Sequence, residues 1–510
     1  MNKSILVVDC GSTGIRSMII NSEGRVISRN YKKLDIIHTE DGGTENDPES
    51  IWLTFKDLVI KGINKPFINI DSIAITNQRS TFTLWDRTTS KPVINFINWQ
   101  DIRSAQTARK MNKNPLWVAL RSVSFVIGRV IQNPLLIVTS MLRLNTDHTI
   151  CKVKWILDKN PNFRILAEKD RLRFGTIDTW LLYRLTGNKA HKTDFTNAAA
   201  TSLLNPFIKK WNKLFCNIFN IPMNILPEVL STNGFFGNTD EKIFGKTIPI
   251  TAIVGDQQSS LFGHRCFNPG DLKMTLGSGA FITMNVGSKP KFSTKGLFPM
   301  IGWTISGKTE YILEGQVATL GTFIDWAVNK LELFDSPKDL DRVAEEVKSS
   351  NGVKCIPTLT GIRFPYFKPG LKCSFSGISL KTDKKHIAYA IIDGLANRVV
   401  DIIEGMEKET KIHIPNIKVD GGVSNSNILL QRVADLSGKR VYRSSENDLA
   451  SMGAAYLSGL STGVWKSNKD ILNIKIPQTC FKPKLGTELR EKSRNSWKLH
   501  IKDSEKMYKK

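Results

Sequence analysis

The chain has 510 residues, 41% of them hydrophobic, too many for one core and enough for two large domains. Its formal charge is +25 at pH 7, but Lys and Arg are spread along the whole length and no RNA- or DNA-binding motif accompanies them, which argues for a solvated basic surface and against specific nucleic-acid recognition. Seven cysteines, widely spaced and without a CxxC pair, exclude a disulfide framework or zinc site and predict a reducing, cytoplasmic setting.

The N-terminus enters a strand at once, so no signal peptide is expected. Ile5 to Val8 reads as a buried strand, Asp9-Cys10-Gly11-Ser12-Thr13-Gly14 as a turn, and Arg16 to Ile20 as the returning strand. Arg25 to Ser28 adds a third. The glycine- and hydroxyl-rich first turn is unlike a Walker loop, yet its backbone N–H groups can hold phosphate and Asp9 can hold hydrated Mg²⁺. Asp47 to Gly62 reads as a helix, with Asp47 as cap and Pro48 at the first position. A strand from Asp71 to Thr76 ends in the polar cluster Asn77-Gln78-Arg79-Ser80. Strands are also expected at Thr81 to Trp85 and at Val93 to Asn98, the latter ending at Trp99-Gln100-Asp101. Two strand ends thus present Arg79, Trp99 and Asp101, a set suited to a small polyol. The same residues also fit a surface Arg and a core Trp.

Leu116 to Leu144 is the most apolar region, interrupted by Arg121, Arg129, Pro134 and Arg143. Its uncharged run is too short to span a bilayer, which needs about 20 residues. Core packing is the first reading for it, and a membrane or partner contact the second. Lys152 to Lys159 reads as a helix, and Thr176 or Asp178 as the cap of another.

The strand Ile248 to Val254 runs into Gly255-Asp256-Gln257-Gln258 and then a helix. In α/β folds ligands bind at such carboxyl ends of strands. Taken alone, Asp256 reads first as a helix cap. A second glycine-hydroxyl hairpin follows: strand Asp271 to Leu276, turn Gly277-Ser278-Gly279, strand Ala280 to Asn285. It echoes Asp9 to Arg16 in type. Two such hairpins, one per domain, could grip a polyphosphate. Glu314-Gly315 precedes a helix containing Gly321 and Asp325. His386 to Glu404 is a long helix. Ile417 to Val419 ends in Asp420-Gly421-Gly422, ahead of a helix capped by Ser424 or Ser426, a backbone that a nucleotide can approach closely. Ser451-Met452-Gly453-Ala454-Ala455 begins a small-residue helix that allows close packing. The basic tail reads as helical or loose.

These stretches together resemble the FGGY carbohydrate kinases, and within them the glycerol kinases, closest to a divergent animal branch. The carrying motifs are Asp9 to Thr13, Ile75 to Arg79, Phe174 to Trp180, Gly255 to Ser259, Leu276 to Gly279 and Val419 to Gly422, in family order across residues 5 to 465. The resemblance implies two actin-like, ribonuclease H-like α/β domains around a deep cleft: 1–250 with the polyol pocket and first phosphate loop, 251–475 with the general base and nucleotide site, and a basic tail at 476–510. It implies ATP-dependent phosphorylation of a small polyol, glycerol first, with ATP and Mg²⁺. Asp256 matches the general base. Gln257, Arg79, Trp99 and Phe281 match polyol-binding residues, and Asp9 the residue that organises Mg²⁺. Ser12, Thr13 and Arg16 match the first phosphate loop, and Ser278 the second. Gly321 and Gly422 match residues lining the nucleotide, and Ser426 stands where an Asn contacts adenine.

The chain departs from the glycerol pattern in four places. Ser80 replaces a Glu that accepts hydrogen bonds from glycerol. Asp147 stands near the place of a polyol-contacting Tyr. Asp325 replaces a Gln near the nucleotide, and Ser426 the Asn just named. Two alternatives therefore stay open: a kinase for another small polyol or sugar, and an ATP-binding regulator with weak kinase activity. A homo-oligomer also stays open.

Overall fold

The run from Ser4 to Cys10 is buried along its whole length and lies inside a six-stranded sheet. A strand covered on both faces reads as a continuous apolar run, as this one does. The computed structural model describes residues 3–293 and 295–507. Two units emerge, each discontinuous in sequence. The first holds the chain up to Arg265 together with Met300–Tyr311 and Asp448–Ile474; the second holds Cys266–Pro299, Ile312–Asn447 and the chain from Lys475.

In the first unit, Ser4–Cys10 pairs antiparallel with Gly14–Asn21 and parallel with Ile70–Asn77. Pro249–Gly255 pairs parallel with Ile70–Asn77 on its other side. Val26–Lys33 and Gly237–Asn238 form the two edges. The third strand is therefore longer than the expected Arg25 to Ser28. The helix Pro48–Ile63 is capped by Asp47, whose carboxylate accepts from the N–H groups of Glu49 and Ser50. Its stripe of Ile51, Trp52, Phe55, Leu58, Val59 and Ile63 is buried in one cluster with Leu6 and Val8 of the sheet.

A second sheet of this unit joins Leu172–Thr176, Phe82–Asp86, Phe96–Ile97, Thr44–Asn46 and Ile37–His38. The expected strand Val93 to Asn98 is reduced here to Phe96–Ile97, while Lys91–Pro92 pairs separately with Trp85 and Asp86. Pro92 has no N–H to give a ladder, and Val93 N–H goes to Leu84 O at 2.8 Å instead.

In the second unit the strands run in the order Ala280–Gly287, Leu272–Leu276, Asn416–Asp420, Arg440–Ser444, Gln478–Phe481. Leu272–Leu276 pairs antiparallel with Ala280–Gly287 and parallel with Asn416–Asp420, which pairs parallel with Arg440–Ser444. The same order and directions run through Gly14–Asn21, Ser4–Cys10, Ile70–Asn77, Pro249–Gly255 and Gly237–Asn238 of the first unit. The expectation of two actin-like, ribonuclease H-like α/β halves holds. The long helix is Lys384–Thr410, extending past the expected span at both ends. Residues after 475 are folded: Gln478–Phe481 completes the sheet, and Thr487–Met507 is a helix whose Trp497 and Ile501 are buried with Ile356, Ile362 and Leu371.

The apolar region from Leu116 departs from the core-packing expectation. It forms two helices, Pro115–Val130 and Pro134–Met141, and of the first only Trp117, Ser124 and Gly128 are buried. Among the described residues no helix is long and apolar enough to cross a membrane.

Candidate functional site

Asp256 is built by the junction it occupies. The strand Pro249–Gly255 ends at a helix, Asp256–Gly263, whose cap position is Gly255 and carries no side-chain cap. Asp256 is thus the first helical residue rather than the cap. Its Oδ1 accepts from Gln257 N–H at 2.7 Å, and a carboxylate in a first helical turn is favoured by the aligned peptide dipoles. Arg79, at the end of the neighbouring strand, brings Nε to 3.7 Å from Asp256 Oδ1. Gly255 makes this possible: a Cβ there would stand 2.8 Å from Arg79 Cγ. The arginine also donates from Nη1 to Met300 Sδ at 3.3 Å.

Asp256's helix is fixed against Leu449–Thr462. A Cβ on Gly263 would stand 2.0 Å from Leu449 O, and one on Gly453 1.8 Å from Ser259 O. Ser259 Oγ donates to Ala450 O at 2.5 Å. The expected close packing of the small-residue helix is found here, and Asp256's helix is its partner.

Asp9 ends the strand Ser4–Cys10 and is buried. Burial pushes its carboxyl up to about 7; the Arg16 guanidinium opposes this, and the carboxylates of Asp256 and Asp448 add to it. Arg16 Nη1 lies 3.8 Å from Asp9 Oδ2 and its Nε 3.7 Å from Asp448 Oδ1. Arg29 Nε lies 3.4 Å from Asp448 Oδ2. Asp448 was not among the sequence candidates; an Asp directly ahead of a small-residue helix was its only signal. Among the described residues no group of three or more His, Cys, Asp or Glu could hold a metal alone. The Asp9 carboxylate, with Asp256 and Asp448 near it, could instead hold Mg²⁺ arriving with phosphate and water oxygens, since Mg²⁺ keeps most of its shell from those sources.

The first turn holds Ser12 and Thr13. Ser12 Oγ donates to Gln78 Oε1 at 2.9 Å and accepts from Trp99 Nε1–H at 3.2 Å. Gln78 Nε2 is buried with no hydrogen-bond partner among the described residues. A buried amide without a partner costs about 1–3 kcal/mol, so this donor is suited to an oxygen from outside the chain. Thr13 is exposed, and its carbonyl accepts from Leu34 N–H at 3.0 Å.

Arg79 and Asp256 share this unit with Trp99 and Gln257, both partly open to solvent. Trp99 is held from behind by a residue the sequence reading passed over. Lys152 is fully buried, and its Nζ donates to Asn98 O at 2.9 Å and Trp99 O at 2.7 Å. Burial pulls its ammonium down to about 8. Asp101 is not presented alongside them as expected. It is buried, accepts from Thr44 N–H at 3.1 Å and pairs with Arg103 at 2.7 Å. Ser80 sits at φ 68° and donates its hydroxyl to Ala200 O at 3.0 Å. Asp147 lies exposed in a turn closed by Asn145. A second overlooked group is Asp194, buried and held up to about 6 by that burial. It accepts from Thr196 N–H, from Asn197 and from Thr232, while Thr196 Oγ1 accepts Gly255 N–H at 2.8 Å and Asn197 bonds Asn77. The ends of both central strands are thereby tied to one carboxyl.

The second unit carries the other candidates on backbone turns. Leu320 and Thr322 donate their N–H groups to Ser278 O at 2.9 and 3.0 Å, and Gly321 N–H donates to Gly277 O at 3.0 Å. A Cβ on Gly321 would stand 2.5 Å from Gly277 O. Gly421 needs its φ of 91°, and a Cβ there would stand 2.4 Å from Leu276 O. Gly422 meets nothing within 4 Å, so the space above it is open. These glycines set a bare backbone surface around the Ser278 turn. Phe281 follows in the strand Ala280–Gly287. Ser426, not Ser424, caps the helix Asn427–Ser437; its Oγ accepts from Leu429 N–H at 3.2 Å and donates to Asp341 at 2.8 Å. Asp325 is exposed on the helix Gly321–Asn329.

Residues 4–263 match the N-terminal domain of the FGGY family of carbohydrate kinases, and residues 272–462 its C-terminal domain. Glycerol kinase 5 of Danio rerio is 35% identical over 491 residues, 96% of this chain and 93% of its own length. The glycerol kinase of Petrotoga mobilis is 35% identical over 504 residues, 98% of each chain. Among solved structures, the glycerol kinase of Plasmodium falciparum with ADP superposes with a TM-score of 0.90 at 27% identity, covering 99% of this chain and 98% of its own. With its duplicated sheets and both family domains in order, the chain belongs to the FGGY family of carbohydrate kinases.

Proposed function

We propose that the protein transfers the γ-phosphoryl group of MgATP to a hydroxyl of glycerol, giving sn-glycerol 3-phosphate for glycerol and glycerolipid metabolism. The observation that carries this reading is Asp256 at a strand end, 3.7 Å from Arg79 and in the same unit as buried Asp9. Full-length likeness to proteins named glycerol kinase supports it. In this reading Asp256 takes the proton from the acceptor hydroxyl as its oxygen attacks the phosphorus. Arg79, Trp99, Gln257 and Phe281 hold the polyol. Asp9 organises the Mg²⁺ of the nucleotide, Ser12, Thr13, Arg16 and the Ser278 turn hold phosphates, and Gly321, Gly422 and Ser426 line the nucleotide. Transfer of this kind rests mainly on positioning and charge stabilisation, and a general base adds about 10²–10⁴-fold.

Substrate-dependent ADP release over a panel of small polyols and sugars tests the assignment, with Asp256→Asn beside it. The expected result is turnover with glycerol, and a fall of about 10²–10⁴-fold in the variant with ATP binding retained. Unchanged turnover in the variant removes Asp256 from the base role. A second reading, a different small polyol as acceptor, is favoured by Ser80, whose hydroxyl is given to Ala200 O where a carboxylate would have met glycerol. Preference for another acceptor in the same panel selects it.

A further inference from the structure

The helical hairpin Pro115–Val130 and Pro134–Met141 is tightly built yet apolar on the outside. Its foot is Trp117, fully buried and edge-on to Phe215 at 5.0 Å. Gly128 lets the helices cross closely; a Cβ there would stand 2.9 Å from Ile137 N. Arg121 donates twice to Ser140 O, at 3.1 and 2.9 Å, and Asn133 caps the second helix through Leu135 and Leu136 N–H. The chain thus satisfies its polar groups inside the hairpin and leaves Leu116, Ala119, Val123, Val126, Ile127 and Val130 exposed. Their spacing of 3, 4, 3, 1 and 3 residues places all six on one helical stripe. Val126 is 60% and Val130 77% exposed. A contiguous exposed apolar patch on a soluble fold marks an interaction surface.

The charge around it selects the partner. Between Asp101 and Asp147 the chain has no acidic residue, and Arg109, Lys110, Lys113, Arg129 and Arg143 are exposed there. Arg129 lies along the Phe125 ring, 4.0 Å from its centroid, the posture of a cation over an apolar bed. An apolar stripe in a segment whose charged residues are all cations is the pattern of a helix that lies in the headgroup plane of an anionic membrane. A second copy of this surface would bring like charges together. We propose that the 115–141 hairpin docks the protein on anionic lipid bilayers, its stripe entering the interface and its cations meeting the headgroups. The helices are too short to cross, so the attachment lies on one leaflet.

The test is co-sedimentation of the full-length protein with vesicles of phosphatidylcholine alone and of phosphatidylcholine with phosphatidylserine. Binding to the anionic vesicles at least tenfold above the neutral ones is expected. Val126→Glu with Val130→Glu is expected to lower it at least tenfold, and Lys110→Glu with Lys113→Glu to lower it severalfold, with thermal midpoint and turnover in vesicle-free buffer unchanged in both. Equal binding of wild type and the Val126/Val130 variant overturns the proposal. So does absence of vesicle binding, whether or not the same variant dissociates a dimer in lipid-free light scattering.

Discussion

Replacing Gly453 by Ala probes how Asp256 is held. The new Cβ would lie 1.8 Å from Ser259 O and 2.8 Å from Gly263 N, whereas ordinary contacts begin at 3.4 Å. The helices Asp256–Gly263 and Leu449–Thr462 must therefore part by about 1.5 Å, since both offending atoms are backbone and cannot swing away. Overpacking of this kind costs about 1–3 kcal/mol, and the Ser259 bond to Ala450 O lengthens with it. For a unit of this size that is a fall of roughly 2–6 °C in the thermal midpoint. The same shift moves Asp256, and a misplacement near 1 Å can cost about 10²-fold in rate. Circular-dichroism melting and kcat are to be measured on the purified variant. Gly370→Ala is the control, since its Cβ meets nothing within 4 Å. A Gly453→Ala protein with the wild-type midpoint and kcat within twofold would refute the account of how this helix is fixed.

Lys152→Met should raise the KM for the acceptor roughly five- to tenfold with a smaller change in kcat, because two buried carbonyls lose their donor and Trp99 loosens; steady-state kinetics decide, and an unchanged KM contradicts the positioning role. Asp178 is fully buried, and burial lifts its carboxyl from 3.8 to about 7 against the hydroxyls of Thr176 and Thr193. The folded state therefore binds its proton more tightly than the unfolded chain, so this stabilisation is complete below about pH 4 and is lost as pH rises through about 7. Asp178→Asn should accordingly show a smaller drop in thermal midpoint between pH 5 and pH 7.5 than wild type, and equal drops would contradict the assignment. Ser80→Glu should lower the KM for glycerol severalfold if glycerol is the acceptor, since the serine already occupies the left-handed backbone at φ 68° and its replacement adds little new strain; no change in KM argues against a glycerol contact at this position.

Much of this was legible along the chain, and the reasons it stopped are physical. Strand ends and glycine-hydroxyl turns are local, so Asp9, Arg79, Asp256 and the Ser278 turn stand at the expected junctions. Packing partners are not local. Asp448 joins Arg16 across more than 400 residues, and Lys152 reaches the carbonyls of Asn98 and Trp99 from a helix whose pattern marks Lys152 only as one more lysine. Composition does not separate a buried apolar run from an exposed one, so core packing stands ahead of a membrane or partner contact for the 116–144 region until the burial of its residues is seen. Asp101 was misjudged for the same reason: a carboxylate at a strand end faces outward unless a neighbour such as Arg103 turns it in.

The buried groups behind the site also divide its properties. Asp194 fixes Thr196, which fixes Gly255, and Gly255 gives Arg79 the room to reach Asp256. Lys152 fixes Trp99 through main-chain oxygens alone. Ser80 touches both supporting helices: its hydroxyl donates to Ala200 O, on the helix of Thr196, and its carbonyl accepts from Thr149 Oγ1 at 3.2 Å, on the helix of Lys152. A change of side chain at position 80 keeps the Thr149 bond to its carbonyl and leaves the partners of Thr196 and Lys152 in place, so its main effect falls on the contact to the acceptor. Changes at Lys152 loosen Trp99 and with it acceptor binding, and changes at Asp194 loosen the strand ends beside Asp256. Selectivity and turnover are thus separable in this protein: substitutions at Ser80 should reorder acceptors at nearly constant kcat, and substitutions at Gly453 should lower kcat without reordering them. Gly453 and Ser80 share no direct partner, so the two sets measured on one acceptor panel form a cycle whose effects should add within about 0.5 kcal/mol. A larger coupling would mean that the base helix and the Ser80 turn move as one body, through the helix that carries both Thr196 and Ala200.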